Sequence, residues 1–239
     1  MNVLLTGVSK GLGLSIAKTL LERGHTVYGL SRTRTENLTK LKSEYKNSLN
    51  LLAYDLIDAE NIRKKIFKDF LGNVPLHAFI NNAAIAYDDI ITNANLKLLH
   101  NMFVVNVYSP INLTKYAIRN MMLHKVKGCI IHISSISVHT GYKGLSMYAS
   151  SKGALEAFSK NTAREWGELG IRSNCVVSGF MDTEMSSTLS DSQKSRIYNR
   201  TSLKKAVCPE SIASTISFLI SDDAKSITGQ NIHVDSGTI

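Results

Sequence analysis

A short aliphatic run that breaks into glycines and resumes as an amphipathic helix constrains this chain more than any other feature. Residues 2–6 read as a strand, Thr6-Gly7-Val8-Ser9-Lys10-Gly11-Leu12-Gly13 follows, and residues 14–23 show helical spacing with Gly24 as a stop. Leu12, Ile16, Leu20 and Leu21 fall on one side of that helix. Strand, glycine turn and helix open a βαβ unit of the nucleotide-binding kind. Side chains in place of Gly7, Gly11 or Gly13 would obstruct close approach of backbone N–H groups to a pyrophosphate at the helix N-terminus. The spacing is G-x-x-x-G-x-G rather than the commoner G-x-G-x-x-G. The position between strand and helix therefore carries the reading.

The rest of the chain repeats the alternation. Further strands are expected at residues 26–30, 49–54, 77–80, 128–134, 171–177 and 231–234. Helices are expected at 38–45, 57–70, 96–123, around Tyr148 to about 166, and at 209–220 with Pro209 in the first turn. The 239 residues are 44% hydrophobic, with three prolines and no linker-like stretch. A single α/β domain follows: one doubly wound parallel sheet of about seven strands with helices on both faces. Ligands of such sheets bind outside the strands' C-terminal ends, where Gly11, Arg32, Asn81 and Ser135 all fall.

The second strand ends in Ser31-Arg32-Thr33-Arg34. An acidic residue there would bond a ribose 2′-hydroxyl, whereas a guanidinium suits a 2′-phosphate, with Lys10 on the same side. NADP(H) is expected over NAD(H); the bland alternative leaves Arg32 and Arg34 as solvated loop charges. Asn106, an amide among Val104, Val105 and Val107, is either a structural bridge or part of a site.

Tyr148 and Lys152 are four positions apart, so a helix places them on one face, and Ser135 ends the preceding strand. An ammonium beside a phenol favours the phenolate and is expected to lower the tyrosine pKa from about 10. That suits a general acid giving a proton to a carbonyl oxygen near neutral pH. Ser135 is placed to hydrogen-bond the same oxygen. A helix can carry such a pair for no chemical reason, and the glycine turn far upstream is what gives this one significance.

The formal charge of +9 is spread out, and Arg63-Lys64-Lys65 reads as a solvated helix face. Without interleaved aromatics or a recognition motif, the charge suits a phosphate-bearing cofactor or an acidic partner better than nucleic acid. Three widely spaced cysteines and seven scattered histidines show neither a disulfide framework nor metal-ligand spacing, so no metal is expected. No apolar run is long enough to span a membrane, and no basic leader precedes the first strand; a cytoplasmic protein is expected.

Taken together, these residues resemble the short-chain dehydrogenase/reductases over essentially the whole chain. Thr6-Gly7-x-x-x-Gly11-x-Gly13 is similar to the family's cofactor loop, Asn81-Asn82-Ala83-Ala84 to its NNAG segment, and Asn106, Ser135, Tyr148 and Lys152 to its catalytic tetrad. Residues 171–185 and 227–235 most resemble the bacterial 3-oxoacyl-[acyl-carrier-protein] reductases. The resemblance implies a Rossmann fold with Tyr148 as general acid. Lys152 would lower its pKa and bind the nicotinamide ribose, Ser135 would orient the carbonyl, and Asn106 would hold a helix bend and a relay water. Cofactor contacts are implied for Gly7, Ser9, Lys10, Gly11, Leu12 and Gly13, and for Arg32. Asp55 and Leu56 would lie near the adenine, and Asn81 near the adenine-side ribose. Asn82, Ala83 and Ala84 would line the crevice. Gly179, Met181 and Thr183 would follow, with Thr183 at the carboxamide.

The implied activity is NADPH-dependent reduction of a ketone, first of all a 3-oxoacyl thioester delivered by acyl carrier protein. A keto-sugar, nucleotide-linked sugar or other small ketone is the second substrate class. The non-enzymatic rival is a dinucleotide-sensing or scaffold protein, against which the complete tetrad argues. A homotetramer, or homodimer, built through the long helices and last strand is also implied. Departures are Ala84 for glycine, Ser178 for proline, and Val126 and Leu169 where the reductases carry two carrier-binding arginines; Lys125, Lys127 and Arg172 are close by. Residues 183–206 should form the substrate lid; polar and basic, they carry no pattern that names a substrate.

Overall fold

The computed structural model describes residues 1–182 and 190–239. Seven strands, β1 (Asn2–Thr6), β2 (Thr26–Ser31), β3 (Leu49–Ala53), β4 (Ala78–Asn81), β5 (Cys129–Ser135), β6 (Arg172–Ser178) and β7 (Asn231–Val234), form one sheet in the order β3-β2-β1-β4-β5-β6-β7. Every pairing is parallel. The order reverses between β1 and β4, so the chains leaving these strands diverge and open a crevice. Helices α1 (Gly11–Glu22), α2 (Glu36–Glu44), α3 (Leu96–Phe103), α4 (Ser109–Leu123), α5 (Ser146–Trp166), α6 (Asp191–Arg200) and α7 (Pro209–Ile220) follow the strands.

Period-two alternation along β1 sends its side chains into two cores. Val3 and Leu5 join Ile16 and Leu20 of α1 and Ile216 of α7. Leu4 joins Phe79 of β4 with Leu113 and Ile118 of α4. Both faces of the sheet are thus covered, as a parallel sheet requires. No helix among the described residues is long and apolar enough to cross a membrane.

Two segments depart from the periodicity. Residues 57–61 are not helical, and Ile62 leads into a π-helical segment, Arg63–Phe70. The carboxylates of Asp55 and Asp58 accept from the backbone N–H groups of Ile57 (3.0 Å) and Asn61 (3.3 Å); the first makes a turn and the second has the spacing of an N-cap, so the helix starts later than its apolar pattern. The helix expected over 96–123 is broken into α3 and α4 by a π-helical turn, Val104–Tyr108, centred on Asn106. The region without a readable pattern contains α6, which starts on a capping box: Ser190 Oγ accepts from Gln193 N–H (3.3 Å), and Ser190 N–H donates to Gln193 Oε1 (2.8 Å).

Candidate active site

β1 hands the chain to α1 through Gly7 (φ +74°) and Gly11 (φ +53°), conformations that disfavour any side chain. A Cβ on Gly13 would sit 1.9 Å from the Gly7 carbonyl oxygen, so the turn and the first turn of α1 are in direct contact. Lys10, extended at the N-cap, gives no side-chain cap bond, and no acidic residue occupies the first turn of α1. Those N–H groups and the positive end of the helix dipole are left to an anion, and the glycine cradle fits a diphosphate.

Thr6 holds the opposite wall. Its Oγ1 accepts from the N–H groups of Asn82 (3.0 Å) and Ala83 (2.9 Å) and donates to Asn81 Oδ1 at 3.5 Å. The Asn82 amide donates to the carbonyls of Thr6 (3.0 Å) and Gly7 (3.2 Å). One threonine thereby ties the end of β1 to the turn after β4. Asn81 itself is buried, its amide 3.4 Å from His132 Nδ1. The expected place of Asn81 near the ribose is therefore corrected. Strand alternation turns it into the sheet, and it braces β1, β4 and β5 from within.

Between these walls runs a cleft of about 590 Å³. Gly7, Ser9, Lys10, Gly11, Leu12 and Gly13 line one part, and Arg32, Asp55 and Leu56 the edge at β2 and β3. Asn82, Ala83 and Ala84 form a side, and Tyr148, Lys152 and Met181 reach in from α5 and the chain after β6. Tyr54, Asn101, Val105 and Ser134 line it too, and nothing in the sequence marks them, because each sits in a run whose pattern signals only strand or helix. Gly179 lies outside the lining, pressed against β7's exit, where an added Cβ would come within 2.6 Å of Asp235 Cα. Thr183 lies outside the described residues.

Lys152 is 2% exposed; its ammonium donates to the Ile133 carbonyl (2.8 Å) and lies 5.8 Å from the centroid of the Tyr148 ring. Ser135, next to the lining residue Ser134, accepts at Oγ from Ser137 N–H (3.2 Å) and Ser137 O–H (3.0 Å). Its own hydrogen is left to donate elsewhere. The Asn106 amide accepts from Ile85 N–H (2.9 Å) and donates to the Ile85 carbonyl (2.8 Å) and Ser151 Oγ (3.1 Å). It is a structural bridge joining the π turn, the loop after β4 and α5. Arg172 is spent internally on the carbonyls of Ile227 (3.2 Å) and Ser221 (3.4 Å).

The electrostatics overturn one expectation. Burial, with a smaller contribution from the negative charge of Asp88, pushes Tyr148 up to about 12, and burial brings Lys152 down to about 8. Removing water from both groups outweighs an ammonium standing off the ring. Tyr148 is thus wholly protonated at neutral pH.

Residues 7–238 match the family described as Enoyl-(Acyl carrier protein) reductase. The 3-oxoacyl-[acyl-carrier-protein] reductases FabG of Salmonella typhimurium and Escherichia coli are each 35% identical over 238 residues, which covers 98% of this chain and 95% of theirs. The chain belongs to the short-chain dehydrogenase/reductase family. As a short-chain dehydrogenase/reductase it is an oxidoreductase of CH–OH and C=O groups. Solved relatives share its whole fold. A 4-hydroxyisoleucine dehydrogenase complexed with NADH has a TM-score of 0.92 at 28% identity, covering 99% of this chain and 98% of that one. ElxO with NADP bound has a TM-score of 0.90 at 28% identity, with the same coverage.

Proposed function

We propose that this short-chain dehydrogenase/reductase reduces a ketone with NADPH, and that the ketone is a 3-oxoacyl thioester. The observation that carries the reading is that Tyr148, Lys152 and the glycine cradle share one cleft of about 590 Å³. When bound, the reduced nicotinamide supplies a hydride to the carbonyl carbon. Tyr148 gives its phenolic proton to the carbonyl oxygen. Lys152 holds the nicotinamide ribose and stabilises the phenolate left behind. Ser135, already accepting two bonds from Ser137, turns its own hydrogen to the same oxygen and fixes the substrate. Asn106 is a positioning residue that acts through the bend it maintains.

Arg32 is exposed at the cleft edge and makes no hydrogen bond or ion pair among the described residues. With Lys10 it supports a 2′-phosphate and so NADPH. The FabG relatives named above support the thioester. Val126 and the exposed Leu169, at the carrier-binding positions of the acyl-carrier-protein reductases, favour a second reading with a keto-sugar or other small ketone. We also read the chain as one cytoplasmic domain that assembles as a homotetramer.

The test is oxidation of NADPH, and separately NADH, with a short 3-oxoacyl thioester. Fast, NADPH-preferring turnover is expected, falling by about 10²-fold or more in Tyr148→Phe while NADPH binding persists. Retained activity in Tyr148→Phe would refute the acid. Tight NADPH binding without thioester turnover would move the substrate to the second class.

A further inference from the structure

Outside the cleft, an unexplained concentration of charge lies on α6 and the turn after it. From Asp191 to Lys205 the chain carries Lys194, Arg196, Arg200, Lys204 and Lys205 against the single carboxylate of Asp191. These cations have different duties. Lys194 pairs with Asp182 at 2.8 Å, and Tyr198 packs on Phe180 with ring centroids 6.0 Å apart. That side fastens α6 beside Met181, at the mouth of the cleft. Gln193, Arg196 and Arg200 are exposed and, with Ile197, line a groove of about 250 Å³. Arg196 and Arg200 stand one turn apart with no ion pair or hydrogen bond among the described residues. Like charges at that spacing repel along a helix, and although Arg200 in the last turn suits the helix dipole, Arg196 has no such role.

Three residues beyond Arg200, in the turn after α6, Leu203 is 62% exposed. It is held out by a fixed backbone. Lys204 (φ +54°) and Ser236 (φ +59°) are both left-handed. Ser202 N–H donates to the Gly237 carbonyl (2.9 Å), and Leu203 N–H to that of Ser236 (3.0 Å). Non-glycine residues stay in that conformation only where their surroundings determine it. Paired cations and a presented leucine, at the mouth of a cleft, match an acidic amphipathic segment.

We infer that the outer face of α6, with Arg196, Arg200, Leu203 and Lys205, docks an acidic protein that carries the substrate to the cleft. This rests on the thioester reading, because a small ketone would leave the face untouched. The net charge of +9 steers such a partner from a distance, and the two arginines fix its position. The face replaces the sites at Val126 and Leu169, whose side chains here are apolar.

The probe is purified, fluorescently labelled acyl carrier protein, with binding read by anisotropy at low and high salt. Binding is expected, weakening by about tenfold or more at high salt and in R196E/R200E, and retained in R196K/R200K, which guards against a folding defect. In turnover, the charge reversal should lower kcat/KM for a carrier-borne 3-oxoacyl group by a similar factor. The loss on the N-acetylcysteamine thioester of the same acyl group, which reports any effect of the two arginines on the lid itself, should be at least several-fold smaller. No carrier binding, binding indifferent to salt and to both arginines, or equal losses on the two substrates overturns the inference. Arginine-dependent binding without turnover of either thioester keeps the surface and removes the thioester reading. Turnover of both thioesters with charge-independent binding does the reverse.

Discussion

Tyr148 and Lys152 are moved in opposite directions by the same loss of water, to about 12 and about 8. Asp88 adds to the rise of Tyr148, so Asp88→Asn should shift the alkaline limb of the pH–rate profile to lower pH. An unmoved limb would show that Asp88 does not act on the phenol. For Lys152, the folded pKa lies below the unfolded value of about 10.4. The unfolded chain therefore binds more protons between pH 8 and 10.4, and this group's penalty on folding is relieved as pH rises through that window. Lys152→Met removes the penalty, so its stability gain over the natural chain should shrink by about 3 kcal/mol from pH 7.5 to 10.5 in urea unfolding. A gain that is constant with pH would count against the buried amine. The four-residue spacing made Tyr148 and Lys152 legible in the sequence. Their pKa directions were not, because these depend on burial and on Asp88, which lies far upstream of the helix.

The π turn Val104–Tyr108 exists where one amide serves three partners from two other segments. Asn106→Ala leaves the part-buried N–H and C=O of Ile85 without their side-chain partner and is expected to cost about 1–3 kcal/mol in urea unfolding, with lower turnover. A loss below about 0.5 kcal/mol would mean that the bend holds itself. The pattern of apolar residues was sufficient for the seven strands and for most helices. It was blind to this turn because an extra residue in a helical turn hardly disturbs apolar spacing. It also overran at residues 57–61, where Asp55 holds a turn and Asp58 bonds the N–H of Asn61 as an N-cap does, so the helix begins later. The capping box at Ser190 and Gln193 is the one local signal that marks the start of α6. Asn81 and Asn82 show the finer limit: adjacent amides, one turned into the sheet and one onto the cradle, with β4's register deciding between them.

At the scale of the whole molecule, α4 leaves Tyr108, Ile111, Met122 and Leu123 exposed on or beside it, Leu123 at 74%. Apolar side chains in such numbers on one helix favour the proposed homotetramer. Light scattering should give about four times the 26.3 kDa chain, and Ile111→Glu should lower that mass; a monodisperse monomer would count against the assembly. Alternating strands and helices made the parallel sheet legible, but nothing local announced that the order would reverse at β1. That reversal has a consequence for how the chain comes to be folded. During synthesis β2 reaches β1 early, while the other edge of β1 waits for β4 (Ala78–Asn81), and β7 arrives last. Of the strands that end inside the sheet, β1 waits through the longest stretch of chain for its second neighbour, and until then one side of it is a bare apolar edge. A nascent chain halted before β4 therefore presents a sticky template rather than half a protein.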